Sequence, residues 1–579
     1  MTDVVLDAVT AEPDWLRCES CRELVYGRRY RRDLRICPHC RAHGRLTAPE
    51  RIATLFDPGS VVDLPAVEVA EDPLGFAAQR PYPESLARAR AQTGLPEAAL
   101  CVRATIEGEP VYAVVLDFRF LGGSMGVAVG EAVTRTAEAA LRDRLPLLLV
   151  TASGGARMQE GALSLMQMAK TSQALAALDE AGVLTITLVT DPTYGGVAAS
   201  FTTLTDVVLA EPGAHLGFAG PRVIAQTTGQ RLPEGFQTAE FLLARGLIDD
   251  VVPRVAVPGA IARLLRVAAP APLEPDDPLA LLPSAHQPSP WLMRIGKQSK
   301  EAEPAQVAEP AGAAERTAWE AVRLARHPDR PTTADYVSYL LTDFHELHGD
   351  RIGGDSRAVI AGLGRLGDLP IVLVGHDKGH RTTERTARNF GMASPAGYRK
   401  AARVMRLAAK LGLPVVTLID TPGADPGPDS ESNGQAVAIA ENLRLMARLP
   451  VPVVCVVIGE GGSGGALAVG VGNRVLAAEH AVYSVISPEG CAAILWKDPA
   501  AAPDAATALR LTPRDLLGQG VIDAIVPEPP GGAHTDPIRA AELLGEAVER
   551  TLRELSTMSA DELVTQRFNR FRALGGPAV

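Results

Sequence analysis

The residues best suited to chemistry in this chain are glycines. Five of them fall between Gly459 and Gly465, after the apolar, β-branched run Val451 to Ile458 and before the apolar Ala466 to Val469. That order reads as a buried strand turning tightly into a helix. A helix start presents bare main-chain N–H groups, an anion site without a charged side chain. Three chemistries fit. Gly459-x-Gly461-x-x-Gly464 spells a dinucleotide-binding turn, with Glu479 at the distance of a ribose-binding acid. Gly461-x-Ser463-x-Gly465 spells a nucleophile elbow, with Asp523 and His534 following in hydrolase order. In the third, the amides of Gly464 and Gly465 form an oxyanion hole for a developing enolate. A turn whose glycines only let strand and helix pack closely is the bland alternative.

A second constellation lies near the N-terminus. Cys18-x-x-Cys21 and Cys37-x-x-Cys40 are separated by fifteen residues, the spacing of a zinc ribbon whose two knuckles close a tetrahedral thiolate site. Four thiolates complete the coordination, so His39 is left out and the expected Zn2+ is structural. With four of the seven cysteines in this cluster and Cys101, Cys455 and Cys491 scattered singly, the pattern is metal usage in a reducing compartment and no disulfide framework. Arg17, Arg22, Arg28, Arg29, Arg31, Arg32, Arg35, Arg41 and Arg45 crowd the same segment. They form a solvated basic face, or they contact phosphates of nucleic acid or of a cofactor.

The elements that must position these groups follow from pattern. The chain has 579 residues, enough for several domains, with 46% hydrophobic and 22% charged residues as in ordinary globular proteins. A net charge of −11 argues against general nucleic-acid or anionic-membrane binding. Asp3, Asp7 and Glu12 replace the basic start of a signal peptide, and Glu460 breaks the most apolar run, so a cytoplasmic protein without a membrane span is expected. Strands are expected at 111–118, 145–151, 184–190, 369–374 and 415–419, and helices at 126–144, 163–178 and 395–411. The segment 268–315, rich in proline, alanine and glutamate, reads as a linker.

The chain also repeats itself. A shift of about 268 residues lays Gly123 on Gly391, Arg135 on Arg403, Leu145-Pro146 on Leu413-Pro414 and Gly155 on Gly423. With one residue of slip, Gly195-Gly196 falls on Gly464-Gly465. The first copy has neither a dinucleotide fingerprint nor a nucleophile elbow. Both copies share only adjacent glycines at a strand-to-helix turn, so the oxyanion-hole reading gains. Two such holes facing each other suit a reaction with two developing enolates.

These residues carry a resemblance. The four-cysteine ribbon, Asp117 to Gly126, Ser153 to Lys170, Gly217 to Arg222 and Leu232 to Gln237 resemble the β subunit of bacterial acetyl-CoA carboxylase carboxyltransferase. His345 to Arg351, Arg388 to Met392, Gly397 to Lys400, Ile419 to Gly423, Gly459 to Gly465, Val485 to Cys491 and Ile494 to Asp498 resemble its α subunit. Two departures stand out: Tyr194 where a threonine is expected, and the run Asp429 to Asn433 in place of an acidic-arginine run.

The resemblance implies an α/β protein with two crotonase-like (ββα-spiral) domains in tandem behind a small zinc ribbon. The expected division is 1–46 ribbon, 47–267 β-type domain, 268–315 linker and 316–579 α-type domain. It implies a biotin-dependent carboxyltransferase that makes malonyl-CoA for fatty acid synthesis from acetyl-CoA, its substrate, and carboxybiotin on a separate carrier. Carboxybiotin would release CO2, and the ureido anion left behind would take the α-proton of the thioester. Carried over, Gly195 and Gly196 would hold the thioester enolate and Gly464 and Gly465 the biotin ureido oxygen. Arg157, with Gly154 and Gly155, is the candidate for binding CoA. No Gly-x-x-x-x-Gly-Lys-[Ser/Thr] loop or Met-Lys-Met site occurs, so biotin carboxylase and biotin carboxyl carrier protein are expected as separate partners. A homodimer or higher homo-oligomer is expected, and no membrane. The rival readings are a carboxyltransferase for propionyl-CoA or a longer acyl-CoA, and a non-enzymatic zinc protein that binds nucleic acid.

Overall fold

Runs of β-branched residues alternating with helix-forming stretches build two sheets of one design. A computed structural model describes residues 15–229, 232–268 and 316–575, so the expected linker lies, but for its first residue, outside the described residues. In the first half an eight-stranded sheet runs Asp250–Val251, Val207–Ala210, Thr185–Tyr194, Leu147–Ser153, Glu109–Leu116, Ala99–Ile106, Val62–Asp63, with Leu216–Gly217 paired to Thr185–Tyr194. The second half repeats it as Ala524–Val526, Arg474–Ala478, Val453–Gly462, Val415–Thr421, Leu369–His376, Val359–Leu366, Leu341–Glu346, with Val482–Ser484 on Val453–Gly462. In each, one end of the sheet is antiparallel and the rest parallel. The register even shifts at matching places, between Thr151 and Ser153 and between Ile419 and Thr421. The duplication read from the glycines is therefore a duplication of the whole sheet.

Sequence punctuation explains the helix bounds. The helix Pro395–Leu411 opens with proline in its first turn and stops at Gly412, whose φ of 68° is the left-handed cap that glycine adopts without strain. Expected strands at 145–151 and 184–190 appear as Leu147–Ser153 and Thr185–Tyr194.

The helix expected at 163–178 spans Gly161–Glu180 and has no polar face, because both halves cover it. The helix Gln435–Ala447, the short Ser463–Leu467 and the C-terminal Ala560–Ala573 all pack on it from the second half. Arg572 of that last helix reaches Glu131 at 2.8 Å, and Glu131 also pairs with the fully buried Lys170 at 2.5 Å. The largest apolar cluster accordingly runs through both halves, with Met168, Leu175, Ile439 and Leu467 among its members. No helix among the described residues is long and apolar enough to cross a membrane.

Candidate active site

Each diglycine turn sits where a central parallel strand runs into a short helix. Thr185–Tyr194 leads into Gly195–Val197, and Val453–Gly462 into Ser463–Leu467. Helices this short leave the first N–H groups without intrahelical partners. Among the described residues, the N–H groups of Gly196, Gly464 and Gly465 meet no acceptor in the loops and turns around them. Gly195 differs from the expectation. Its N–H donates to the Phe218 carbonyl at 3.1 Å, continuing the pairing of Tyr194 with Gly217, so Gly196 alone of the first pair keeps a donor.

The two turns meet. A Cβ built on Gly196 would lie 3.2 Å from Met168 Sδ, and one on Gly464 would lie 3.1 Å from Met168 Cε. One thioether on the shared central helix thus touches both strand-to-helix turns. The Phe218 ring joins them, 3.5 Å from the same built Cβ of Gly464.

Behind each turn stands a second glycine turn of the same kind. The Gly155 N–H donates to Ser153 Oγ at 3.0 Å, and the Gly423 N–H donates to Thr421 Oγ1 at 3.1 Å. Gly155 backs directly onto Gly195, since a Cβ on it would come within 3.3 Å of the Gly195 Cα. The Gly154 N–H donates to the Gly122 carbonyl at 2.8 Å. The N–H groups of Gly154 and Gly155 are thus both engaged, and Gly155 packs against the first turn. On the other side, the buried Tyr398 hydroxyl donates to the Gly465 carbonyl at 3.2 Å and fixes the second turn.

Arg157 also departs from the expectation. It is 1% exposed and forks onto Glu97 at 2.7 and 2.9 Å, with further bonds to Tyr82 and Ser124. Its guanidinium is a buried structural cation and is not available to a phosphate. The acid inside the glycine stretch, Glu460, pairs with Lys378 at 2.8 Å and Arg326 at 2.6 Å, which pull its carboxyl down to about 2 against the effect of burial. These ion pairs anchor the strand end. The nucleophile-elbow partners stay apart: Asp523 is engaged by Arg570 and the Val475 N–H, and His534 stacks on His327.

The ribbon closes as the spacing expects. The four thiols of Cys18, Cys21, Cys37 and Cys40 lie within 4.8 Å of one another, with Cys18–Cys40 and Cys21–Cys37 sulfurs 3.7 and 3.8 Å apart. A tetrahedron with Zn–S bonds of about 2.3 Å has sulfur–sulfur edges near 3.8 Å. The two knuckles are alike. The N–H groups of Arg22 and Arg41 return to the carbonyls of Cys18 and Cys37, both arginines in left-handed conformation. Of the arginine cluster, Arg29 and Arg32 pair with Asp33 and Arg35 with Glu50. Arg45 donates to the carbonyl of Asp191 at 3.2 Å and pairs with its carboxylate at 3.3 Å, tying the ribbon to the strand that ends in Tyr194.

The chain matches known proteins along nearly its whole length. Residues 301–575 match the family model described as acetyl co-enzyme A carboxylase carboxyltransferase-like, and residues 39–238 match the carboxyl transferase domain. A Parafrankia protein named acetyl-coenzyme A carboxylase carboxyl transferase subunits beta/alpha is 59% identical over 99% of this chain and 92% of its own length. One of the same name from Clostridium tetani is 40% identical over 97% of this chain and 93% of its own. A separate beta subunit from Synechococcus is 53% identical over 44% of this chain and 82% of its own.

Proposed function

The chain belongs to the acetyl-CoA carboxylase carboxyltransferase family in its fused β/α form, and from that premise we propose how its own residues carry the reaction. The activity is transfer of a carboxyl group from carboxybiotin to acetyl-CoA, giving malonyl-CoA. In our assignment the Gly196 N–H holds the oxygen of the thioester enolate, and the N–H groups of Gly464 and Gly465 hold the ureido oxygen of biotin. Each such donor, aimed where negative charge develops, is typically worth about 2.7–4 kcal/mol in the transition state. Gly154 and Gly155 serve this site by supporting Gly195, and Tyr398 does so by fixing Gly465. The observation that carries the assignment is the meeting of both diglycine turns on Met168.

Zn2+ held by Cys18, Cys21, Cys37 and Cys40 is proposed as structural, because four thiolates leave no open coordination position. Its role is to hold the ribbon whose Arg45 grips Asp191. The proposed division remains 1–46, 47–267 and 316–579 around the linker 268–315. Biotin carboxylase and a biotin carrier protein act with this component in the cytoplasm, and the chain forms a homo-oligomer. The direct test is the reverse half-reaction, loss of CO2 from malonyl-CoA in the presence of free biotin. The purified chain should show biotin-stimulated decarboxylation, with acetyl-CoA preferred over propionyl-CoA in the forward direction. Decarboxylation indifferent to biotin would sink the reading.

A further inference from the structure

The two departures noted in the sequence come together beside the first diglycine turn. Glu431, inside the run Asp429 to Asn433, is 6% exposed on a short helix of the second half. Its carboxylate crosses to the first half and accepts the N–H groups of two consecutive residues, Phe218 at 3.0 Å and Ala219 at 2.5 Å. Those residues directly support the site. The Phe218 carbonyl takes the Gly195 N–H, and its ring lies against Gly464. Gln237 holds the same segment from its other side, donating to the Ala219 carbonyl at 2.9 Å. Burial first, and then the Asp191 and Glu431 carboxylates, hold the phenol of Tyr194, immediately before the diglycine, above the usual range.

We propose that Glu431 is a positioning residue for carboxyl transfer: from the second half it grips the Phe218–Ala219 main chain that aims the first diglycine turn. An ionised carboxylate offers each N–H group a charged acceptor oxygen. Protonated, one of its oxygens carries a hydrogen, so one of the two grips weakens. Burial pushes the carboxyl up to about 7, although the Ala219, Phe218 and Gln237 donors pull the other way. The titratable groups facing it are Asp425 of its own half, which pushes it further up, and Tyr194 of the first half. The grip is therefore half lost near pH 7, approaches completion as pH rises beyond it and disappears as pH falls.

The inference rests on the carboxyltransferase reading, and one assay separates the two. Biotin-stimulated malonyl-CoA decarboxylation is measured from about pH 6 to 8.5, with kcat and KM resolved, for the unmodified chain and for Glu431→Gln. The glutamine keeps the shape but turns an N–H2 toward one main-chain donor. For the unmodified chain, kcat should fall on the acid side of about pH 7. In Glu431→Gln, kcat should drop roughly tenfold or more at pH 8 with KM changed less than about threefold, and the acid limb should disappear. A folded Glu431→Gln with unmodified kcat and an intact acid limb overturns the proposal. Should that variant not fold, Glu431→Asp decides: a folded aspartate variant with lowered kcat and KM changed less than about threefold supports the proposal, and one with unmodified kcat overturns it. A chain with no biotin-stimulated activity sinks both readings, whereas an active chain indifferent to Glu431 sinks only this one.

Discussion

Gly196 and Gly465 are glycine for different physical reasons. A Cβ on Gly465 would sit 2.3 Å from the Ala424 nitrogen and 2.6 Å from the Gly423 carbonyl carbon, main-chain atoms that cannot yield. A Cβ on Gly196 meets the end of Met168, a flexible side chain that can. Gly465→Ala should therefore lower stability by about 2 kcal/mol, an overpacking cost, and Gly196→Ala by less than about 1 kcal/mol. Urea melts of the two variants decide this, and equal losses would contradict the geometry. The glycine pairs were legible in the sequence because they recur at one spacing. Which N–H was already engaged was not legible, since the acceptor of Gly195 follows Leu216–Gly217, a strand too short to leave a pattern. Arg157 shows the same limit from the other side. A buried fork onto Glu97, sixty positions away, and a phosphate contact look identical in one dimension.

At the scale of elements, punctuation was the reliable signal. Pro395 and Gly412 bracket their helix in the sequence as they do in space, and the left-handed φ of Gly412 makes a prediction independent of the site. Gly412→Ala should cost about 1 kcal/mol of stability, the strain of an L-residue in that region, and leave kcat unchanged. A thermal melt with a parallel decarboxylation assay checks both, and an activity loss would tie this helix end to the site. The strand Ala99–Ile106 went unread although Val102, Ala104 and Ile106 bury one face while Cys101, Arg103 and Thr105 line the other, because its apolar positions are few and small. The role of Asp429 to Asn433 was equally hidden: a short polar run gives no sign that Glu431 will reach across 212 positions to Ala219.

At the scale of the molecule, the duplication was legible and the pairing of its halves was not. The surfaces that join the halves carry no label in one dimension. Here both halves of a single chain close over the helix Gly161–Glu180, and the C-terminal segment inserts its Leu574 carbonyl against Gln167 and Lys170, each at 3.3 Å. Contacts this buried should hold without a covalent tether. Residues 1–268 and 316–579 expressed as two chains should co-purify and retain biotin-stimulated decarboxylation, and pieces that separate on a sizing column would contradict the packing. In the assignment made above, Gly196 and Gly464, 268 residues apart, serve one reaction from two sides. The most direct measurement of this is biotin-stimulated malonyl-CoA decarboxylation by Gly196→Val and Gly464→Val, each confirmed as folded by circular dichroism. Each added side chain should block approach to its N–H and cost at least about 100-fold in kcat, the scale of losing one oxyanion donor. A folded variant of either kind that keeps the unmodified rate would show that the two turns do not share a site.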